Sequence, residues 1–242
     1  RAMIQRPSLQ SCNKIPNREE ESPIVDIYNR LYREYGPQHW WPGDSAVEII
    51  IGAILTQAVA WVNVECAINN LKSENCLSIQ ALRDVPETAL AQLLRPSGYF
   101  NAKTRKVKCF VEHVWKAYSG DLTAFLSKDV VELRQELLGI YGIGEETADD
   151  IVLYAAQKPS FVIDAYTRRI FQRLGIAPSE NSYWSYQELF RTSLPTDVTI
   201  YNEYHALLDK HAKEACKREP ICQTCCLLER CDTGRSRLGR SL

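Results

Sequence analysis

Apolar side chains recur along this chain at three- and four-residue intervals and almost nowhere at alternate positions, which leaves a cluster of helices as the fold it can build. Between Asn101 and Tyr118, Val107, Phe110, Val111, Val114 and Tyr118 form one stripe, the mark of an amphipathic helix with a single buried face. Further helices are expected near Ile24–Tyr35, Ala46–Thr56, Val62–Lys72, Pro86–Leu94, Val130–Leu138, Glu145–Ala156, Ala165–Leu174, Tyr183–Thr192 and Tyr201–Cys216. Short connectors with Pro or Gly separate them, such as Arg95-Pro96-Ser97-Gly98 and Lys158-Pro159. Ala46–Thr56 is apolar on almost every side and belongs at the centre of the cluster. The expected class is all-α, and 45% hydrophobic residues in 242 are enough to fill a sizeable core.

Charge excludes little. The chain carries 29 Lys+Arg against 30 Asp+Glu, so a uniformly basic nucleic-acid coat is absent while a local basic face survives the average. Lys103, Arg105, Lys106 and Lys108 suit phosphate contact or a solvated face equally well. No apolar run approaches the roughly 18 residues of a membrane span. The first residues lack the apolar core of a signal peptide. An intracellular, reducing compartment is expected, cytoplasmic or at the nucleoid in a prokaryote, where clustered cysteines hold metal more often than they form disulfides.

Of nine cysteines, Cys216, Cys222, Cys225 and Cys231 stand in a C-x5-C-x2-C-x5-C array near the C-terminus. Four soft sulfur ligands in so short a stretch select an iron–sulfur cluster or zinc, and the presence of a single C-x2-C pair favours a [4Fe–4S] cluster. Cys226 reads as a spare, and Cys12, Cys66, Cys76 and Cys109 as buried small hydrophobes. Lys217 and Arg218, inside the first loop, are within reach of a phosphate.

Between two expected helices, Leu137-Leu138-Gly139-Ile140-Tyr141-Gly142-Ile143-Gly144-Glu145-Glu146-Thr147-Ala148 sets two glycines one residue apart. Exposed N–H groups of such a hairpin and of the helix that follows make an anion cradle suited to a DNA phosphate, which makes Gly142, Ile143 and Gly144 candidate contacts. A bare G-x-G turn is also an ordinary helix connector.

The hairpin, together with Phe161-Val162-Ile163-Asp164-Ala165-Tyr166-Thr167-Arg168-Arg169 and the cysteine array, resembles the helix-hairpin-helix DNA glycosylase superfamily in its endonuclease III-like branch. Leu55-Thr56-Gln57 and Gly98-Tyr99-Phe100-Asn101-Ala102-Lys103 are similar to the two stretches that in this family fill the gap left by an extruded base. All five elements fall in the family order between about residues 24 and 231. The resemblance implies a monomer acting on double-stranded DNA with a damaged base. Two helical lobes are implied, 41–150 ending in the hairpin and 1–40 plus 151–242 holding the cluster, with Asp164 in the cleft between them. Gln57, Tyr99, Asn101 and Lys103 become candidate DNA contacts. Gln57 has an alternative role as an amide tying helices together, and Tyr99 as a core aromatic.

Asp164 takes the place of the family's catalytic aspartate, where a carboxylate stabilises positive charge developing on the sugar. By residue type it is equally an N-cap for the helix that begins at Ala165, and the two roles are compatible. Bifunctional members place a lysine two residues after the second glycine, where its amine attacks the sugar. Here that residue is Glu146, which cannot form an imine, so the expectation is a monofunctional glycosylase without lyase activity. Glu146 either helps to place water or pairs with a basic neighbour.

His39-Trp40-Trp41-Pro42 and Trp61 are similar to the aromatic signature of the 3-methyladenine glycosylase subgroup, which also has Glu at the lysine position. Electron-rich rings suit a cationic alkylated purine, so Trp40, Trp41, Pro42 and Trp61 are the candidate base pocket, with core packing as the alternative. Uracil or thymine mismatch excision, and a non-catalytic cluster protein that binds DNA, are the other readings the sequence leaves open.

Overall fold

The computed structural model describes residues 22–40 and 43–239. Every regular element among them is helical, so the all-α expectation holds. No helix among them is long and apolar enough to cross a membrane. The described residues divide into two compact units, one of residues 43–160 and one of residues 22–40 with 161–239.

In chain order the helices are α1 (Pro23–Tyr35), α2 (Ala46–Leu55), α3 (Trp61–Ser73), α4 (Ile79–Asp84), α5 (Glu87–Leu93), α6 (Phe100–Tyr118) and α7 (Leu122–Leu126). They continue with α8 (Val130–Leu138), α9 (Glu145–Asp150), α10 (Ala165–Leu174), α11 (Tyr183–Ser193), α12 (Val198–Glu214) and α13 (Asp232–Arg237). α9 runs directly into a π-helical turn, Ile151–Ala155, all five residues of which are buried.

α2 is the axis of the first unit. Ser45 caps it by accepting the Glu48 N–H at 3.2 Å, and Ile50, Ile51, Ile54 and Leu55 are wholly buried against α3, α6 and the π turn. Each such side chain stabilises the fold by roughly 1.5–3 kcal/mol relative to exposure. The Trp61 ring lies against α2 at Gly52, where a Cβ would stand in ordinary contact with it at 3.4 Å.

An aromatic core holds the second unit. Phe161 and Phe190 stack at 3.8 Å between centroids, Tyr204 meets Phe190 edge-on at 5.4 Å, and the Tyr204 hydroxyl donates to the Ile24 carbonyl at 2.8 Å. Ser22, Asp164, Ser182 and Asp197 cap α1, α10, α11 and α12 through accepting side-chain oxygens.

Candidate active site

In the first unit three loops carry the candidate DNA contacts. The hairpin joins α8 to α9: Gly142 has φ +85°, and a Cβ there would stand 2.3 Å from Lys106 Cγ, so the position needs glycine twice over. Ile143 is buried while Tyr141 and Gly144 are exposed, and Gly144 has open space around it. Glu146 lies exposed in the first turn of α9.

Gln57 follows α2 and is half-buried. Its Nε2 donates to the Gly142 carbonyl at 3.1 Å and to Thr147 Oγ1 at 3.0 Å, and its Oε1 accepts from Lys106 Nζ. The amide therefore ties the end of α2 to the hairpin, as its alternative reading has it. Ala58, the next residue, has φ +57°, and Tyr99, at the head of α6, has φ +44°. One candidate gap-filling stretch therefore contains, and the other is immediately followed by, a non-glycine residue in left-handed backbone, at a cost of about 1–3 kcal/mol each. Tyr99 is 78% exposed, which removes the core-aromatic alternative, and Asn101 is exposed beside it.

Lys103 requires a correction. Its ammonium donates to the Leu55 carbonyl at 2.8 Å and to the Ser97 carbonyl at 2.6 Å, and the residue is 2% exposed, so it closes the C-terminal end of α2 and does not face DNA. Burial pushes its pKa down, with help from nearby Lys106. Lys108 is also spent internally, on the carbonyls of Leu82, Arg83 and Val85 at the end of α4. Arg105 is exposed and lies over the Tyr141 ring of the hairpin, 4.6 Å from its centroid. Trp61 packs on Gly52 and donates from Nε1 to Glu65 at 3.0 Å.

In the second unit Asp164 is the N-cap of α10, its Oδ1 accepting the Thr167 N–H at 2.7 Å. Oδ2 stands 3.8 Å from His205 Nε2 on α12, and 18% of the aspartate side chain remains exposed. Burial raises the Asp164 carboxyl, but His205 and the Thr167 N–H outweigh it and hold the carboxyl below its ordinary value. Trp40 meets the His205 ring edge-on at 5.9 Å. His205 was missed in the sequence, where it reads only as one more position of a long helix. Trp41, Pro42 and Cys12 lie outside the described residues.

Cys216, Cys222, Cys225 and Cys231 line one small cavity with Ile170, Leu174 and His211, and Cys226 is not among its lining residues. Donors surround the sulfurs: Arg173 Nη1 reaches Cys216 Sγ at 3.3 Å, the Gly234 N–H reaches Cys231 Sγ at 3.3 Å, and His211 Nε2 lies 3.8 Å from Cys225 Sγ. The neighbouring Cys226 thiol holds the Cys225 thiol well below its usual range, with His211 adding to the effect. No group of three or more His, Cys, Asp or Glu among the described residues forms a single-ion site. An apolar cavity walled by four thiols and fringed with N–H donors fits a thiolate-ligated group, whose sulfurs such donors stabilise. Among the other cysteines, Cys66 is exposed and Cys76 and Cys109 are half-buried, which corrects their reading as buried hydrophobes.

Comparison with known proteins identifies the family and the fold. A family model described as HhH-GPD superfamily base excision DNA repair protein matches residues 51–196. A protein of Methanocaldococcus jannaschii named as a DNA repair glycosylase is 44% identical over 209 residues, which is 86% of this chain and 95% of the relative. Among solved structures, an endonuclease III in a non-covalent complex with DNA superposes with a TM-score of 0.78 at 22% identity, covering 89% of this chain and 97% of the other. A 3-methyladenine DNA glycosylase of Helicobacter pylori bound to 1,N6-ethenoadenine gives a TM-score of 0.70 at 23% identity, covering 79% and 97%.

Proposed function

Since this chain belongs to the HhH-GPD superfamily of base excision DNA repair proteins and is a DNA glycosylase of that family, we propose that it is monofunctional: it hydrolyses the N-glycosidic bond of an alkylated purine such as 3-methyladenine in duplex DNA and leaves the strand intact. The observation that carries this reading is Glu146, exposed on the first turn after the hairpin, where bifunctional members have their lysine. Lys106, whose stem packs on Gly142, has its ammonium committed to Gln57.

Rupture of the bond leaves positive charge on the deoxyribose, and Asp164 stabilises that charge as a carboxylate and orients the attacking water. Water adds to C1′, the base departs with the bonding electrons, and the proton released by the water balances the step. An alkylated purine already carries positive charge, so it leaves with little acid catalysis, and electron-rich indole faces attract such a base. Tyr99, exposed and held in left-handed backbone, and Gln57 are suited to the gap left by the extruded nucleotide, while the Gly142-Ile143-Gly144 hairpin takes a backbone phosphate. Cys216, Cys222, Cys225 and Cys231 hold a [4Fe–4S] cluster, which when bound joins the C-terminal loop to the helices around it.

The test is base release from duplexes carrying 3-methyladenine, 7-methylguanine, hypoxanthine, uracil or a thymine mismatch, read by chromatography of the free base. Release of methylated purines, lost in Asp164→Asn, is expected. Excision confined to uracil or mismatched thymine overturns the assignment of substrate, and no release from any duplex supports a non-catalytic DNA-binding protein.

A further inference from the structure

We propose that His205 is a positioning residue for Asp164, aiming its outer carboxylate oxygen and keeping it ionised while the sugar becomes cationic. The inference rests on the reading of Asp164 as the carboxylate that acts on the sugar. One oxygen of Asp164, Oδ1, is spent on the Thr167 N–H at 2.7 Å, which fixes the carboxylate at the head of α10. The other, Oδ2, is left to face the reaction, and the imidazole of His205 stands 3.8 Å from it.

That separation is too long for a direct hydrogen bond and short enough for strong charge coupling in a site largely closed to water, the two side chains being 9% and 18% exposed. Contacts of this kind are often loose without substrate and tighten in the complex. His205 is itself confined, with the Trp40 ring edge-on to the imidazole at 5.9 Å. A helix of ordinary core residues would place an apolar side chain at such a position. A buried imidazole beside a buried carboxylate is costly unless each compensates the other.

Three charged or titratable groups on the surrounding helices have other engagements. On α12, Glu203 accepts the Gln38 N–H at 2.7 Å. On α11, the Tyr183 hydroxyl accepts the Ile163 N–H at 3.1 Å. On α10, Arg168 donates to Asn181 at 3.2 Å. His205 is the partner that the fold turns toward Asp164 Oδ2.

The experiment compares wild type, His205→Phe, His205→Gln and Asp164→Asn by single-turnover base release from methylated duplex DNA across the acid range, with affinity for an abasic-analogue duplex measured in parallel. His205→Phe keeps the packing and loses the polar ring. Its release is expected to fall about tenfold or more at neutral pH, with the acid limb of the profile displaced upward by about one pH unit and affinity unchanged. His205→Gln, which can still donate, is expected to fall between the two. A His205→Phe profile superimposable on wild type overturns the inference.

A second measurement does not depend on how His205 variants fold. NMR titration of the His205 ring is expected to give a lower pKa in Asp164→Asn than in wild type, and an unchanged value overturns the coupling. The two failures stay distinct: an active Asp164→Asn enzyme defeats the catalytic reading, whereas an inactive one with an unmoved His205→Phe profile defeats the role of His205 alone.

Discussion

Gln57 Nε2 donates to the carbonyl of Gly142 at 3.1 Å, so a side chain from the end of α2 holds the hairpin by its backbone. The same amide reaches Thr147 at 3.0 Å. Replacing it in Gln57→Ala removes three hydrogen bonds, the one from Lys106 included, and is expected to lower unfolding free energy by about 1–3 kcal/mol in urea titrations. Affinity for an abasic-analogue duplex is expected to fall as well. Unchanged stability means that the hairpin is held by other contacts.

The two hairpin glycines separate backbone need from ligand need. Gly142→Ala places a Cβ at φ +85° and against Lys106 Cγ, and is expected to destabilise the protein by about 1–3 kcal/mol. Gly144→Ala has no such neighbour and an ordinary φ of −94°, so its stability should stay within about 0.5 kcal/mol of wild type. Its affinity for duplex DNA should fall, since a methyl group there obstructs close approach of a phosphate.

Lys103 and Arg105 stand two residues apart on α6 and should respond oppositely. Lys103→Met leaves the Leu55 and Ser97 carbonyls without their donor and is expected to cost about 2–4 kcal/mol of stability, with no change in how DNA affinity depends on salt. Arg105→Ala is expected to leave stability nearly unchanged and to reduce the salt slope by about one, the signature of one lost phosphate contact. A salt slope altered by Lys103→Met contradicts the burial of that ammonium.

Glu136 contributes to the acid sensitivity of the first unit. Burial raises its carboxyl, but hydrogen bonds from Lys128, Tyr118 and His113 prevail and bring it down to about 2. A depressed carboxyl stabilises the fold fully above its unfolded value of about 4.3 and loses that contribution as pH falls toward the folded value. Glu136→Gln is therefore expected to flatten the fall in stability between about pH 4.5 and pH 2, and to lower stability near neutrality by about 1–3 kcal/mol. Parallel pH curves for the two proteins contradict the network.

Iron and acid-labile sulfide analysis of anaerobically purified protein is expected to give about four of each per chain, falling sharply in Cys222→Ser. One equivalent of zinc and a colourless protein contradict the cluster assignment.

Helix positions were legible because caps and periodicity agree. Ser45, Asp129 and Asp164 each stand one residue before a helix and accept an N–H from inside it, whereas α12 begins at Val198, behind the Asp197 cap and three residues before the expected start at Tyr201. α4 and α7, of six and five residues, are too short to show a repeat, and a π turn leaves no periodic trace. Lys103 was misread through its charge, although it lies on the spacing of Val107, Phe110 and Val114, the stripe that the helix buries. That spacing was the available signal. The pairing of His205 with Asp164 had none, because it joins two helices far apart in sequence through tertiary packing alone.

The most direct test of the central claim follows one lesion-containing strand. Wild-type protein is incubated with a 7-methylguanine duplex, and the products are resolved before and after hot alkali, with a borohydride arm run alongside. Free base with an intact strand that breaks only in alkali, and no borohydride-trapped complex, is the predicted result. Strand cleavage without alkali, or a covalent adduct in the borohydride arm, contradicts it.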